Sequence, residues 1–121
     1  MERMRKLALA LTAVGVVGLP MTTAATAHAD IPSVQVAIST YYSDWVRVCG
    51  WNQYDNKVCY NHLDTPGSGY TRLSGWWWQK DSTVTITGTN SNTGAVRNMS
   101  CYIPKNTGNP YYCDGRSRKE L

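Results

Sequence analysis

The sequence predicts an all-β domain, namely a small antiparallel β-sandwich or barrel of about six to seven short strands. Short runs of alternating apolar and polar residues recur along residues 34–113, and clusters of Gly, Asn, Ser and Pro separate them. No apolar run of helical period follows residue 29. Four cysteines lie in or beside these runs, where two disulfides would stabilise so small a domain.

The first 29 residues have the composition of a secretory signal peptide. A basic start at residues 1–6 leads into the apolar segment 7–19, and Ala27-His28-Ala29 has the small-residue pattern of a cleavage site. The apolar segment is shorter than the roughly 20 residues that a membrane span requires. We therefore expect cleavage after residue 29, leaving residues 30–121 as a single secreted, extracellular domain with no stable membrane span.

The net charge gives little support for nucleic-acid binding. The whole chain carries +4, from 12 basic and 8 acidic residues. Residues 1–29 contain three of the basic residues and one of the acidic ones, which leaves nine against seven, or +2. The remaining basic residues are scattered except for Arg116, Arg118 and Lys119 near the end, so we expect no nucleic-acid partner.

Alternation defines the strands of the first half of the domain. Val34, Val36 and Ile38 would share one face of the first strand. Residues 45–49 and 58–60 predict a hairpin with a cysteine near each end, joined by a polar turn. A loop rich in Pro and Gly follows at residues 63–69, and a short strand follows at residues 70–73.

The second half contains the most regular alternation in the chain. Three consecutive tryptophans at residues 76–78 lead into residues 83–89, where Val84 and Ile86 alternate with threonines on the other face. Residues 95–103 predict the return strand, with Met99, Cys101 and Ile103 pointing inward. Residues 101–103 and 111–113 then predict a second hairpin closed by cysteines.

Four cysteines allow three disulfide pairings, and the sequence alone does not choose between them. Pairing Cys49 with Cys59 and Cys101 with Cys113 is favoured, because each pair would close a short loop on a predicted hairpin. In the chain-entropy model each such loop stabilises the domain by about 3 kcal/mol. We expect no metal site, since the cysteine spacing is not that of a zinc site and His62 is the only histidine after the leader.

The sequence offers few groups for catalysis. His62 and Asp64 are close enough along the chain for the carboxylate to orient the imidazole, but no nucleophile with a recognisable motif accompanies them. The aspartates fall in turns, and the first glutamate after the leader is Glu120. We therefore predict that the protein is not an enzyme and needs no cofactor, and we assign no catalytic residue.

Aromatic residues are the strongest indication of a binding site. The chain has five Trp and eight Tyr but no Phe. Indole and phenol rings stack on sugars and anchor protein partners, although in a chain without Phe they must also fill the core. The candidate ligand-binding residues are Trp76, Trp77, Trp78, Tyr70, Tyr111 and Tyr112.

These features lead to three hypotheses about function. The first is a secreted binding protein that inhibits an extracellular enzyme or acts as a toxin-like or antimicrobial effector. The second is a carbohydrate or cell-wall binding module that uses exposed Trp and Tyr, and the third is a small hydrolase. The expected partner is an extracellular protein or a carbohydrate, and we expect a monomer.

Overall fold

The computed structural model describes residues 31–121, so the predicted signal peptide lies outside the described residues. These residues contain nine β-strands and no helix. In chain order the strands are β1 (Ser33–Val34), β2 (Val36–Ser39), β3 (Trp45–Trp51), β4 (Lys57–Asp64), β5 (Thr71–Arg72), β6 (Trp78–Gln79), β7 (Ser82–Thr89), β8 (Val96–Ile103) and β9 (Tyr111–Asp114). Across residues 31–121 there is no helix long and apolar enough to cross a membrane.

The four long strands form one antiparallel sheet in the order β4-β3-β7-β8. Its inner face is apolar and its outer face is polar, because side chains alternate along each strand. On β7, Val84 and Ile86 are fully buried, whereas Thr83 and Thr85 between and beside them are exposed. The alternation predicted for this strand is therefore confirmed.

The five short strands form a three-stranded sheet, in the order β9-β2-β5, and a two-stranded sheet of β1 and β6. All four residues of β2 are buried, because β2 lies between β9 and β5 and other side chains cover its second face. Val36 and Ile38 point into the core, while Ala37, on the opposite face, is still only 3 % exposed. A continuous buried run is typical of a strand covered on both sides.

One hydrophobic core joins these sheets. Its members come from seven of the nine strands and from two loop positions, Leu73 and Leu121. Trp78 is the largest fully buried side chain, and its ring lies against Gly50 on β3. A Cβ at position 50 would stand 3.2 Å from the Trp78 ring and 2.8 Å from Val84, so only glycine allows this close packing.

Both predicted disulfides are present, and they differ in their surroundings. Cys49 and Cys59 are directly opposite each other on β3 and β4, half-buried on the outer face. Cys101 and Cys113 are buried in the core, 5 % and 1 % exposed, and connect β8 of the large sheet to β9 of the three-stranded sheet. The second disulfide therefore links two sheets, whereas the first links neighbours within one.

The predicted last hairpin is wrong. Residues 111–113 do not pair with residues 101–103; β9 instead pairs in parallel with β2, with Cys113 opposite Ile38. The fold is thus not purely antiparallel, and it has nine strands rather than six or seven. A disulfide needs only a Cα separation of about 4.4–6.8 Å. Cys101 and Cys113, in two different sheets, have their Cα atoms 5.9 Å apart, so they can bond although their strands do not pair.

Candidate ligand-binding face

The three consecutive tryptophans do not form an exposed platform. Trp78 is 0 % exposed and belongs to the core, so it has no surface to offer a ligand. Trp76 is half-buried, stacks against Trp78 with ring centroids 6.2 Å apart, and meets Tyr60 edge-on at 5.1 Å. Trp77 is also half-buried. Trp76 and Trp78 lie on the same side, toward the protein, although only Trp78 belongs to a strand.

The three candidate tyrosines lie elsewhere, beside the three-stranded sheet. Tyr70 and Tyr112 are exposed and their rings meet edge-to-face at 4.9 Å, while Tyr111 is half-buried against the core. Tyr112 is the register partner of Ala37, and Tyr70 precedes β5 on the other side of β2. Of the six candidate residues, Trp78 lies in the core, Trp76 and Tyr111 pack against the core, and Trp77 is half-buried. Tyr70 and Tyr112 form a pair of touching tyrosines on the surface.

A larger candidate surface is the outer face of the four-stranded sheet, which we call the threonine face. It is formed by the outward side chains of the four long strands. They are Trp45, Arg47, Cys49 and Trp51 on β3, Lys57, Cys59, Asn61 and Asp64 on β4, Thr83, Thr85, Thr87 and Thr89 on β7, and Val96, Asn98, Ser100 and Tyr102 on β8.

Two exposed aromatic rings lie at one end of the threonine face. Thr83 pairs with Tyr102 on β8, and continuing the β3–β7 register from Cys49 and Thr85 places Trp51 beside Thr83 on the other side. Trp51 is 43 % exposed and Tyr102 is 51 % exposed. Because adjacent strands are about 4.8 Å apart, the two aromatic residues are separated by about 10 Å across the threonine.

The Tyr102 ring is held in place by Asp81, in the turn before β7. The phenol O–H of Tyr102 donates a hydrogen bond to the Asp81 carboxylate. This hydrogen bond raises the pKa of Tyr102 above its ordinary value, because it favours the protonated phenol. Asp81 has a φ of 59°, a left-handed conformation that aspartate tolerates better than most residues. The ring is therefore oriented before any ligand arrives.

Hydroxyl groups occupy the middle of the face. Thr87 donates to the Asn98 side chain at 2.9 Å, but the hydroxyls of Thr83, Thr85 and Ser100 have no hydrogen-bond partner within residues 31–121. A shallow depression of about 240 Å³ opens between β7 and β8. It is lined by Thr85, Ile86, Asn98, Met99 and Ser100. The centre of the face thus presents free donors and acceptors around a concave patch.

Paired polar and aromatic side chains complete the β3–β4 side of the face. The Arg47 Nε donates to Asn61 at 3.0 Å. The predicted His62–Asp64 pair is present, with 2.8 Å between Nε2 and Oδ1, and the imidazole also stacks on Trp45 at 4.4 Å. The stacking and the hydrogen bond hold the imidazole ring on the surface.

The described residues contain no arrangement that assigns a reaction. His62 and Asp64 are exposed, and the imidazole stacks on the Trp45 indole. Both disulfides are formed and residues 31–121 hold no free thiol. Nor do these residues bring three or more His, Cys, Asp or Glu side chains together as a metal site would require.

The threonine face was not among the sites predicted from the sequence. Trp51 and Tyr102 lie 51 positions apart, and each is an isolated aromatic in its own run. One signal was available: the outward threonines of β7, opposite inward Val84 and Ile86, indicate a central strand with a polar outer face. Which aromatic residues flank those threonines follows only from the register.

Comparison of the chain with protein-family models, with curated proteins and with solved structures finds no match.

Proposed function

We propose that this protein is a secreted binding protein and that its ligand is a carbohydrate chain, which lies along the threonine face. The observation that carries the proposal is the arrangement of Trp51 and Tyr102 on either side of the β7 threonines, on an exposed sheet surface. Flat aromatic rings offer an apolar surface to the C–H groups of a sugar ring. The free hydroxyl of Thr83 between the rings, and those of Thr85 and Ser100 beside it, suit the alternating donors and acceptors of sugar hydroxyls.

The chemistry of the face favours a carbohydrate over an apolar ligand. Between the aromatic end and the Trp45–His62 stack, the surface carries hydroxyl, amide and guanidinium groups, including Thr85, Asn98 and Arg47. Such groups make directional hydrogen bonds that an apolar partner would leave unsatisfied. The hydrogen bond to Asp81 orients the Tyr102 ring, and the Cys49–Cys59 disulfide links β3 to β4. Because these groups are already ordered, less conformational entropy is lost when a ligand binds.

Retention on insoluble polysaccharides tests the proposal. The folded protein is incubated with chitin, cellulose and peptidoglycan, and affinity is measured by depletion from solution. We expect retention on at least one, and we expect Trp51→Ala to weaken it about thirtyfold, as the loss of roughly 2 kcal/mol from an aromatic anchor implies.

Tyr102→Ala and Tyr112→Ala provide a matched comparison. Both tyrosines are exposed to a similar degree, 51 % and 55 %, but only Tyr102 lies on the threonine face. We expect Tyr102→Ala to weaken retention and Tyr112→Ala to leave it unchanged. The opposite result would move the site to the Tyr70–Tyr112 pair, and no retention of the wild-type protein on any of the three polymers would exclude the proposal.

A second candidate function, inhibition of an extracellular enzyme, is favoured by the β3–β4 hairpin. Asn52 accepts hydrogen bonds from the backbone N–H groups of Tyr54 and Asn56, and Gln79 donates to Asp55 at 2.8 Å, which braces the turn. The Cys49–Cys59 disulfide links β3 and β4 two residues before the turn, and Tyr54 is 52 % exposed at the tip of the hairpin. A braced loop with an exposed aromatic residue can enter a cleft with little loss of entropy.

Inhibition assays separate this candidate from carbohydrate binding. The protein is titrated against a panel of secreted proteases and glycosidases. Under the inhibitor hypothesis Tyr54→Ala abolishes inhibition while Tyr102→Ala preserves it. If no enzyme is inhibited at micromolar protein, this second candidate is discarded.

A further inference from the structure

A second surface feature lies at the end of the sheet opposite Trp51 and Tyr102. Tyr41 and Tyr42, in the loop between β2 and β3, are both exposed and meet edge-to-face with ring centroids 4.7 Å apart. The Arg97 guanidinium lies over the Tyr42 ring at 3.7 Å. Arg116 and Lys119 lie over the Tyr41 ring at 5.4 Å and 5.3 Å. We call these five residues the cationic tyrosine cluster.

The cluster brings three cationic side chains together around two tyrosine rings. It holds three of the nine Lys and Arg residues of residues 31–121. The two guanidinium-to-ring distances, 3.7 and 5.4 Å, and the 4.7 Å between the ring centroids mean that the Arg97 and Arg116 guanidinium groups are at most about 14 Å apart. None of the three cations has an ion pair within the described part of the chain.

The acidic groups nearest in sequence are engaged with other partners. Asp44 accepts hydrogen bonds from the backbone and side chain of Ser91, and Asp114 accepts from Ser39 at 3.0 Å. Glu120 pairs with Arg118 at 2.9 Å. The Leu121 oxygen accepts hydrogen bonds from the Tyr42 and Ser43 backbone N–H groups. These carboxylates keep their charge, but none forms an ion pair with Arg97, Arg116 or Lys119, so the three cations can still bind an external anion.

Two residues of the cluster are also constrained, Arg116 through its side chain and Lys119 through its backbone. Arg116 donates to the backbone oxygens of Thr40, at 3.4 Å, and Gly67, which fixes its guanidinium beside Tyr41. Lys119 has a φ of 54°, a conformation that lysine rarely adopts, and the turn that contains it is closed by a backbone bond from Lys119 to Arg116.

The cluster adjoins the threonine face at the edge strand β8. Val96 and Asn98 belong to the outer face, so Arg97 between them projects from the other side of the same strand. The Asn90 side chain, just after β7, donates to the backbone carbonyl oxygen of Tyr42 at 2.6 Å. This hydrogen bond connects the end of the sheet to the loop between β2 and β3. A chain leaving the face across β8 would next meet the Arg97 guanidinium.

We infer that the cationic tyrosine cluster binds the carboxylate or sulfate groups of an acidic polysaccharide, an inference that deepens the proposed carbohydrate function and rests on it. Arginine forks bind such oxyanions through two parallel hydrogen bonds, and the Tyr41 and Tyr42 rings can stack on the sugar that carries them. The surface that binds the ligand then comprises the threonine face and an anion-binding subsite beyond β8.

The test compares charged with neutral polymers, and it compares variants that remove a cation inside the cluster with one that removes a cation outside it. Affinity is measured for polygalacturonate against fully methyl-esterified pectin, and for dextran sulfate against dextran, over a range of salt concentrations. Lys119→Gly removes one cation and relieves the left-handed backbone, so the thermal midpoint should hold or rise. Arg97→Gln removes a second cation. Lys105→Ala removes an equal charge from beyond the opposite end of β8, whose eight residues span about 24 Å.

We expect the wild-type protein to bind at least one acidic polymer about tenfold or more tightly than its neutral counterpart. We expect Lys119→Gly and Arg97→Gln each to lower that affinity by about three- to tenfold and to reduce the salt slope by roughly one, as release of one counterion fewer implies. Lys105→Ala should change neither quantity.

Three results would overturn the inference. These are equal affinity for charged and neutral polymers, equal losses in Lys105→Ala and Lys119→Gly, and binding to phosphatidylglycerol vesicles without binding to either acidic polymer. The two proposals fail separately. If neutral polymers bind through Trp51 and the charge of the polymer has no effect, only the proposal of an anion-binding subsite fails. If acidic polymers bind through Lys119 and Trp51→Ala has no effect, the threonine face is not the main site.

Discussion

Replacing each disulfide by a pair of alanines tests how the fold is held together. One variant carries Cys49→Ala with Cys59→Ala, and the other carries Cys101→Ala with Cys113→Ala. The two disulfides close loops of nearly equal length, with sequence separations of 10 and 12. Their burial differs, because the first lies half-buried on the threonine face and the second lies in the core.

The chain-entropy model predicts almost the same loss for both loops, about 3 kcal/mol. Removing the Cys101–Cys113 disulfide also takes two buried sulfur atoms out of the core. At roughly 1 kcal/mol for each group of methylene size, with the cavity it leaves, this adds about 2 kcal/mol. We therefore expect losses of about 3 kcal/mol for the first variant and about 5 kcal/mol for the second.

Guanidinium unfolding followed by tryptophan fluorescence measures both losses as changes in the free energy of unfolding. Thermal unfolding gives a second reading, since 2 kcal/mol corresponds to about 8–16 °C in the midpoint for a domain of this size. Limited reduction of the wild-type protein, followed by thiol labelling and mass spectrometry, should show Cys49 and Cys59 labelled before Cys101 and Cys113.

Equal losses for the two variants would refute the reasoning, because they would mean that burial and the link between sheets contribute nothing beyond loop closure. A larger loss on removing Cys49 and Cys59 would refute it as well. If the second variant is already unfolded in buffer at 10 °C while the first remains folded, the predicted order is upheld.

Three further predictions concern single side chains. Thr65 is buried, and its hydroxyl has no hydrogen-bond partner within residues 31–121. Thr65→Val should therefore raise the free energy of unfolding by about 1 kcal/mol in guanidinium titrations. A loss of stability would show that the hydroxyl has a hydrogen-bond partner. Trp78→Ala should cost about 3–5 kcal/mol, and half-buried Trp77→Ala clearly less; similar midpoints for the two would contradict the core position of Trp78. Hydrogen bonds from Ser91 and Ser117 lower the pKa values of Asp44 and Asp114, respectively. The stability that these carboxylates contribute is therefore present above about pH 4 and is lost as the pH falls through their folded pKa values. Asp44→Asn should make the thermal midpoint fall less steeply with pH below about pH 4, and an unchanged acid dependence would contradict the prediction.

Local patterns sufficed for much of the architecture. Strand alternation correctly assigned Val84 and Ile86 to the core, and short loop closure correctly paired the four cysteines. These properties depend on residues close together in the chain, where periodicity and loop entropy operate directly. The same reasoning failed for β9, because pairing with β2 joins residues about 75 positions apart and nothing in either segment specifies that partner.

The candidate site shows the same division. A run of three tryptophans indicates aromatic surplus, but whether a ring is exposed depends on what packs against it, and the close approach allowed by Gly50 makes Trp78 a core residue. The threonines of β7 already pointed to a polar outer face in the sequence. Placing Trp51 and Tyr102 beside those threonines, and bringing Arg97, Arg116 and Lys119 onto two tyrosines, required the strand register and loop packing. Each strand carries its own alternation, whereas a binding surface is assembled from neighbours that only long-range pairing brings together.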